Sequence, residues 1–199
     1  MKLLLLRHGE TAGNREKRYI GRTDEPLSPL GRAALSPSKE DLSVQSVYVS
    51  PLCRAQETAR ILFPGAVLRI EPGLREMDFG IFEGKNWLEL RDDPAYTAWV
   101  LSGCEAPCPE GEGRAFFCRR SCAAFAGAVS QSLGRGERFA AVVAHGGTLM
   151  AVMERFCGVP YFEGGAPCGC GWLLEITPEA WERGTVLSAR RILRTEERT

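Results

Sequence analysis

Long apolar segments, net charge and histidine are what this sequence has least of. No segment approaches membrane-spanning length, 25 basic residues balance 25 acidic ones, and the 199 residues include two histidines. A net charge of zero excludes the broad electrostatic attraction that binding to nucleic acid or an anionic membrane requires, so neither partner is expected. The leucine run at residues 3–6 is too short for a signal-peptide core and leads directly into Arg7 and His8. We therefore expect a cytoplasmic protein.

Cysteine, by contrast, is plentiful, with eight residues. Because no secretory signal is recognised, we expect reduced thiols rather than disulfides. Two pairs with three residues between partners loosely resemble a four-thiolate zinc site: Cys104 with Cys108, and Cys118 with Cys122. Structural zinc generally uses more closely spaced pairs on turns, whereas Cys118 and Cys122 are spaced to share one face of a helix. No metal is therefore expected, and zinc at these cysteines stays the less favoured alternative.

Hydrophobic patterning predicts alternating strands and helices in one domain, residues 1–199. With 44% hydrophobic residues, a chain of this length can bury a single sizeable core. Strands are predicted at residues 3–6, 44–49, 67–70, 139–144, 172–176 and 186–192. Helices are predicted at residues 28–35, 52–62 (capped by Ser50), 87–101 with a break near Pro94, 114–133, and after Thr148 through Phe156. This order indicates an α/β fold, a three-layer α/β/α sandwich around a central, mostly parallel six-stranded sheet.

Each of the two histidines follows a buried strand and precedes a glycine. His8 comes after the leucine run and before Gly9, and His145 comes after the strand at residues 139–144 and before Gly146. If these strands are parallel neighbours, both side chains emerge side by side at the carboxyl edge of the sheet, where open α/β sheets bind ligands. The glycines would let the backbone approach such a ligand closely. Two unrelated histidines at strand ends are the alternative interpretation.

Two arginines and a loop carboxylate extend this pattern. Arg7 adjoins His8, and Arg54 lies in the first turn of a predicted helix that follows a strand. Guanidinium groups together with an imidazole suit a dianionic phosphoryl group, although either arginine alone could be a solvated surface charge. Cleavage of a phosphoester also needs a proton donor for the departing oxygen, and Glu76 lies in a loop that follows another strand. The residues alone leave the two nearby carboxylates, Asp78 and Glu83, as competitors for that role.

Four segments resemble the histidine phosphatase superfamily, in its phosphoglycerate-mutase-like branch. In family order they are LRHGET at residues 6–11, SPLCRAQETA at 50–59, LREMDFG at 74–80 and AHGGT at 144–148. The resemblance implies that His8 is a nucleophile that forms a phosphohistidine, and that Glu76 donates and then recovers a proton. It further implies that the phosphoryl oxygens are held by Arg7, Arg54 and His145, that Asn14 and Gly21 lie at the phosphate, and that no metal or other cofactor takes part.

Departures from the family pattern favour a phosphatase over a mutase. Met77, Asp78 and Phe79 follow Glu76 where the mutases carry arginine and then tyrosine, and Gly146 stands where they carry asparagine after the second histidine. The resemblance thus implies hydrolysis of a small phosphomonoester, with α-ribazole phosphate as one candidate substrate. A cofactor-dependent phosphoglycerate mutase and a non-catalytic phosphate-binding module remain alternatives. The oligomeric state is left open, with a homodimer as one option.

Residues 81–113 are expected to form a lid over the leaving group. This segment combines a helical pattern with a stretch rich in proline and glycine, and its contents should set substrate specificity. Its aromatic residues Trp87, Tyr96 and Trp99 either line a pocket or belong to the core. Residues 9–24 are predicted to be a loop over the first strand end, and the charged tail after Arg194 is predicted to fray.

Overall fold

The computed structural model describes residues 1–38 and 41–193, which form a six-stranded sheet with helices on both faces. The strands are β1 (Lys2–Arg7), β2 (Ser46–Val49), β3 (Val67–Ile70), β4 (Phe139–Ala144), β5 (Gly171–Glu175) and β6 (Ser188–Ile192), in the order β3-β2-β4-β1-β5-β6. Strands β3, β2, β4 and β1 pair in parallel, whereas β5 pairs antiparallel with both β1 and β6. The predicted three-layer sandwich with a mostly parallel sheet is confirmed.

The helices are short except for two that cover one face of the sheet. They are α1 (Ala12–Arg15), α2 (Pro29–Ala33), α3 (Cys53–Leu62), α4 (Trp87–Leu90), α5 (Pro94–Leu101), α6 (Arg114–Gly134), α7 (Gly146–Cys157) and α8 (Pro178–Glu182). Short 3-10 helices occupy Asp41–Ser43, Pro72–Leu74, Gly80–Phe82 and Tyr161–Gly164. In this described part of the chain, no helix combines the length and apolar character that crossing a bilayer requires.

Strand β1 is buried on both faces, as its uninterrupted leucines indicate. Leu3 and Leu5 join the hydrophobic cluster under α6 and α7, while Leu4 and Leu6 join the cluster under α3. Because successive side chains of a strand point to opposite faces, four consecutive leucines match a strand that is covered on both sides. The end of β1, from which His8 emerges, is thereby fixed to both layers.

Two local predictions were wrong. The predicted loop at residues 9–24 contains α1, which the reciprocal side-chain and backbone hydrogen bonds of Thr11 and Asn14 stabilise. Ser50 does not cap α3, because the N-cap is Leu52 and has no side-chain cap. The break predicted near Pro94 is confirmed: residues 87–101 form two helices, α4 and α5, since Asp93 caps a new start with Pro94 in the first turn. The prediction for the tail after Arg194 falls outside the described residues.

Residues 81–113 carry α4 and α5 and have their own small core. Phe82, Leu90 and Trp99 are buried there against Phe117 of α6. Trp99 is 5% exposed, whereas Trp87 is 51% exposed and takes no part in this core. The segment therefore packs beside the carboxyl edge of the sheet and buries its own apolar side chains there.

Candidate active site

The two histidines lie side by side at the carboxyl edge of the sheet. Arg7 pairs with Ala144 in the parallel register of β1 and β4, and the His8 amide donates a hydrogen bond to the Ala144 carbonyl at 2.9 Å. The two imidazole rings are 5.1 Å apart between centroids, at an angle of 61°. The juxtaposition expected from parallel neighbouring strands is confirmed.

His8 is held as a neutral imidazole. Its Nδ1 lies 2.6 Å from the Gly9 carbonyl oxygen. A carbonyl can only accept a hydrogen bond, so Nδ1 carries the hydrogen and Nε2 keeps its lone pair. Burial and the charges of Arg54 and Arg7 lower the pKa of His8 well below its ordinary value, against the smaller opposing effect of the Gly9 hydrogen bond. The side chain is therefore prepared to act as a nucleophile through Nε2.

A threonine that the motif analysis left without a role fixes the Gly9 peptide. The Gly9 amide donates to the Thr58 hydroxyl oxygen at 2.9 Å, and this hydroxyl donates to the Arg54 carbonyl at 2.7 Å. Thr58 is fully buried in α3. Since the carbonyl of the same Gly9 receives His8 Nδ1, the helix that carries Arg54 also orients the imidazole.

Both arginines are anchored through part of their guanidinium groups. Arg54 is buried and donates to the carbonyls of Thr23 at 2.7 Å and Gly21 at 2.9 Å, while Arg7 donates to the Ala166 carbonyl at 3.1 Å. Within the described residues, the Nε atoms of both arginines and Nδ1 of His145 are buried without a hydrogen-bond partner. Buried polar atoms are nearly always paired, so unpaired atoms on three side chains of one site point to a polar ligand.

Ser50 orients His145. The sequence had instead suggested that Ser50 caps α3. The Ser50 hydroxyl lies 2.7 Å from His145 Nε2, and both side chains are fully buried. When this hydroxyl donates to Nε2, Nδ1 carries the hydrogen and becomes a donor. Burial, followed by the charges of Arg54 and the neighbouring imidazole, lowers the pKa of His145 well below its ordinary value.

Of the three candidate acids, Glu76 is the one that lines the same cavity as His8. Its carboxylate accepts hydrogen bonds from the amides of Met77 at 3.0 Å and Gly147 at 3.2 Å, the latter at the start of α7. Burial raises the pKa of Glu76, and the two amides together with Arg54 and Arg7 counteract only part of that effect. The carboxyl group can therefore hold a proton at a higher pH than an exposed glutamate.

Asp78 and Glu83 are occupied elsewhere. Glu83 accepts hydrogen bonds from the amides of Gly21 and Arg22 and from the Thr23 hydroxyl, at 2.8–3.2 Å. Asp78 accepts the Gly80 amide at 2.9 Å. Neither carboxylate lines the cavity beside His8, so the geometry favours Glu76 among the three.

A cavity of about 320 Å³ opens onto this edge of the sheet. Its polar end is lined by Arg7, His8, Asn14 and Glu76, whereas Arg54 and His145 are buried and lie outside the lining. The remaining wall is mostly apolar and aromatic, with side chains from Tyr19, Ile20, Met77, Phe79, Trp99, Phe117, Met150, Tyr161 and Phe162. A phosphoryl group at the polar end would place its ester substituent against the apolar wall.

Asn14 and Gly21 are placed differently. Asn14 lines the cavity while its Oδ1 accepts the Thr11 amide at 3.2 Å, so the side-chain NH2 remains as its donor toward a ligand. Gly21 lies outside the cavity lining, between Arg54 and the loop of Glu76. A Cβ atom at Gly21 would come within 1.8 Å of the Met77 carbonyl oxygen, so glycine is needed for close packing of the two loops.

The cysteine arrangement does not form a metal centre among the described residues. No three histidine, cysteine, aspartate or glutamate side chains there lie close enough together to hold a metal ion. Cys104 lines the cavity, and burial raises the pKa of the Cys108 thiol to about 12 and that of Cys122 to about 12. The thiols of Cys108 and Cys122 therefore stay protonated near neutral pH in the metal-free protein.

Known proteins are similar to this chain over most of its length. An adenosylcobalamin/α-ribazole phosphatase from Escherichia coli (strain K12) is 32% identical over 172 residues, 80% of this chain and 81% of the relative. A protein named "Probable phosphoglycerate mutase GpmB" from Enterobacter sp. (strain 638) is 31% identical over 169 residues, 81% of this chain and 77% of the relative. The crystal structure of an α-ribazole phosphatase from Shigella flexneri superposes with a TM-score of 0.75 at 27% identity, covering 90% of this chain and 92% of that one.

The family profile of the histidine phosphatase superfamily (branch 1) matches residues 3–169. This span includes all four sequence motifs and every residue that the motifs single out. The chain belongs to the histidine phosphatase superfamily.

Proposed function

We propose that this protein hydrolyses small phosphomonoesters through a phosphohistidine on His8. The observation that carries the proposal is a neutral, cavity-lining His8 with its Nε2 lone pair intact, beside a carboxyl group of raised pKa. Family membership and the phosphatases among the relatives support a phosphatase. The placement of the individual side chains supports the roles proposed for them below.

In the first half-reaction, Nε2 of His8 attacks phosphorus and the bond from phosphorus to the ester oxygen breaks. Glu76 gives its proton to the departing oxygen, so the alcohol leaves neutral and the carboxylate remains. The donors of Arg7, Arg54 and His145 that lack partners would take the phosphoryl oxygens and stabilise the charge spread over them. Covalent transfer to the enzyme divides one difficult displacement into two easier ones.

In the second half-reaction, the Glu76 carboxylate takes a proton from a water molecule while the water oxygen attacks phosphorus. The bond from phosphorus to Nε2 breaks, which releases inorganic phosphate and restores neutral His8. One carboxyl group thus serves as acid and then as base, and no redox partner is needed. The raised pKa of Glu76 suits both steps near neutral pH.

The cavity wall indicates the class of ester. Aromatic and aliphatic side chains dominate the part distant from His8, and the two arginines there are already paired: Arg18 with Glu16 and Glu89, each at 2.6 Å, and Arg114 with Glu105. A second anionic group on the substrate would have to compete with these pairs. We therefore propose an alcohol with an uncharged, apolar or aromatic part, which α-ribazole phosphate would provide, and disfavour phosphoglycerate.

Residues 81–113 contribute Trp99 and Cys104 to this wall. We propose that the segment covers the leaving group and excludes water during the first half-reaction. Trp99 then has both of the roles considered above, since it is buried in the segment's core and also lines the cavity. Trp87, exposed at the surface, takes no part in binding.

The first test compares wild type with His8→Ala on an aryl phosphate. The wild type should turn over and, when quenched, should yield an acid-labile, base-stable phosphoenzyme, whereas His8→Ala should lose roughly 10³-fold or more in kcat/KM and form no phosphoenzyme. Turnover that survives in His8→Ala would refute the covalent route. Wild-type binding of phosphate without any turnover would instead support the phosphate-binding module.

A panel of substrates tests the ester class. α-Ribazole phosphate should have a kcat/KM well above that of 3-phosphoglycerate, with inorganic phosphate as the product rather than a transferred phosphoryl group. A preference for 3-phosphoglycerate, or transfer without release of phosphate, would favour a mutase over a phosphatase.

Replacement of Glu76 by glutamine tests the acid. Because an alkoxide leaves poorly without a proton, Glu76→Gln should lose about 10²-fold or more in kcat/KM on an alkyl phosphate but less than about tenfold on a nitrophenyl phosphate. Asp78→Asn and Glu83→Gln are matched controls that should preserve the ratio between the two substrates. Equal losses on both substrates in Glu76→Gln would contradict its role as the acid.

A further inference from the structure

An arginine in the middle of α6 is directed at the loop that carries Glu76. The Arg120 side chain is 11% exposed, and its charge partner Glu112, at the end of the 81–113 segment, is 12% exposed. The two groups are joined through both carboxylate oxygens, at 2.7 Å from Nε and 2.5 Å from Nη2. A bidentate pair this buried has a defined geometry that a surface ion pair lacks.

The other donors of Arg120 all bind the backbone that leads to Glu76. Nη1 donates to the carbonyls of Gly73 at 3.0 Å and Arg75 at 2.7 Å, and Nη2 donates to the carbonyl of Glu76 itself at 2.9 Å. A guanidinium group has five N–H bonds, and Arg120 uses five hydrogen bonds in total. One side chain therefore fixes the backbone of the acid and of two residues that precede it.

Glu112 extends the connection to the residues after Glu76. Its carboxylate accepts the Asp78 amide at 3.1 Å, and its own amide donates to the Asp78 carbonyl at 2.8 Å. The two backbones then touch: a Cβ atom at Gly80 would lie 1.9 Å from the Pro109 carbonyl oxygen. The end of the 81–113 segment and the loop of Glu76 are thus in direct contact, and Arg120 binds both.

There is little free space around the Glu76 carboxyl group. An added Cβ atom at Gly147 would be 2.6 Å from Glu76 Oε1 and 3.0 Å from the Phe117 ring. Arg120 also stacks on that ring, with its guanidinium carbon 4.9 Å from the centroid. Arg120 and Gly147 therefore contact Glu76 directly, through its carbonyl and its carboxylate, and Phe117 lies against both of them.

We propose that Arg120 and Glu112 are positioning residues that set the place of the Glu76 carboxyl group and link it to the end of the 81–113 segment. The proposal rests on Glu76 acting as the proton donor. Neither side chain lines the cavity, so both act through Glu76 rather than on the substrate. Loss of the pair would leave the nucleophile in place and misplace the acid.

The test uses the ratio of kcat/KM on an alkyl phosphate to kcat/KM on a nitrophenyl phosphate. A ratio measured in one preparation does not depend on how much of the protein is folded, which removes a simple loss of stability from the comparison. Arg120→Lys keeps the charge but cannot make the five hydrogen bonds, and Glu112→Gln keeps the shape but removes the charge. Both should lower the ratio at least tenfold, while the exposed neighbour Arg119→Lys, the matched control, should leave it unchanged.

A double variant separates positioning from structure. Once Glu76→Gln has removed the proton donor, Arg120→Lys should lower the ratio no further, because there is no acid left to misplace. An unchanged ratio in Arg120→Lys and Glu112→Gln, or an additional full loss in the double variant, would overturn the proposal. If Glu76→Gln itself does not lower the ratio, Glu76 is not the acid and the proposed function is wrong at that point. This outcome is distinct from a failure of the positioning role of Arg120 and Glu112.

Discussion

At the scale of single residues, the chemistry of this site depends on how one peptide is held. The carbonyl of Gly9 receives Nδ1 of His8, and the amide of the same residue donates to Thr58. Because Thr58 also donates back to the Arg54 carbonyl one helical turn earlier, the proposed nucleophile and an arginine proposed to bind phosphate share one hydrogen-bonded chain. A small displacement of α3 would therefore reach both.

Thr58→Val tests this chain. The substitution preserves the side-chain shape but removes the acceptor of the buried Gly9 amide, which should reduce the free energy of unfolding by about 1–3 kcal/mol. It should also lower kcat/KM on an aryl phosphate, since His8 loses its fixed orientation. Thr58→Ser, which keeps the hydroxyl, should retain most of both quantities. Urea unfolding and steady-state kinetics measure them, and a Thr58→Val enzyme with unchanged kinetics would show that the Gly9 peptide is held by other means.

Residue positions were predictable from sequence where a motif adjoined a strand end and were not predictable where long-range contacts decide. His8 and His145 were placed correctly because each directly follows its strand. Glu76, Asp78 and Glu83 could not be separated, since their difference lies in hydrogen bonds to loops as far away as residues 21–23. Arg120 offered no local signal, because an arginine within a helix is ordinarily a solvated charge.

At the scale of elements, the first turn of α7 lies next to both the proposed proton donor and the side chains proposed to bind phosphate. His145 is its N-cap, Gly146 faces the Arg7 guanidinium, and the Gly147 amide donates to the Glu76 carboxylate. An unpaired amide at a helix N-terminus is a favourable partner for a carboxylate or a phosphate. The first turn of α7 thus contacts the proposed acid and the side chains proposed to bind phosphate together.

Two adjacent glycine substitutions make a matched pair. In Gly147→Ala the new Cβ would lie 2.6 Å from Glu76 Oε1, so the carboxylate must move and kcat/KM on an alkyl phosphate should fall at least about tenfold. In Gly146→Ala the nearest atoms belong to Arg7 at 3.7 Å, an ordinary contact, and alanine should add about 0.5–1 kcal/mol to the stability of the helix. Equal kinetics in the two variants would contradict the role of the Gly147 contact.

Element boundaries were predicted well where hydrophobic patterning is strong. Strands β3 and β4 have the predicted bounds, and α3 and α6 differ from prediction by a residue at an end. Helix α1 was missed because four polar and small residues carry no apolar period, and its stability comes from the capping hydrogen bonds of Thr11 and Asn14. The antiparallel course of β5 likewise had no sequence signal, since a buried strand shows the same composition in either direction.

At the scale of the whole molecule, both histidines of the chain are buried and neutral. Their pKa values in the folded protein lie well below the value of about 6.5 that an unfolded chain would show. Below that pH the unfolded chain binds protons that the folded protein does not, so the free energy of unfolding should fall as the pH decreases through 6.5 and below. The raised pKa of Glu76 has the opposite effect on stability. Above about pH 4.5 the folded protein keeps a proton that the unfolded chain has lost, so this contribution makes the free energy of unfolding fall as the pH rises.

A variant that removes one histidine isolates this effect. Each histidine should contribute up to about 1.4 kcal/mol per pH unit between its folded and unfolded pKa values. In His8→Asn the change in the unfolding free energy between pH 5.5 and 6.5 should therefore be smaller than in wild type by about 1 kcal/mol, because an unfolded histidine is on average about three-quarters protonated over this interval, while the contribution of Glu76 cancels in the comparison. Urea unfolding at a series of pH values measures both slopes. Identical slopes would mean that His8 keeps an ordinary pKa in the folded protein, in which case its neutral, nucleophilic form would be the minority form near pH 6.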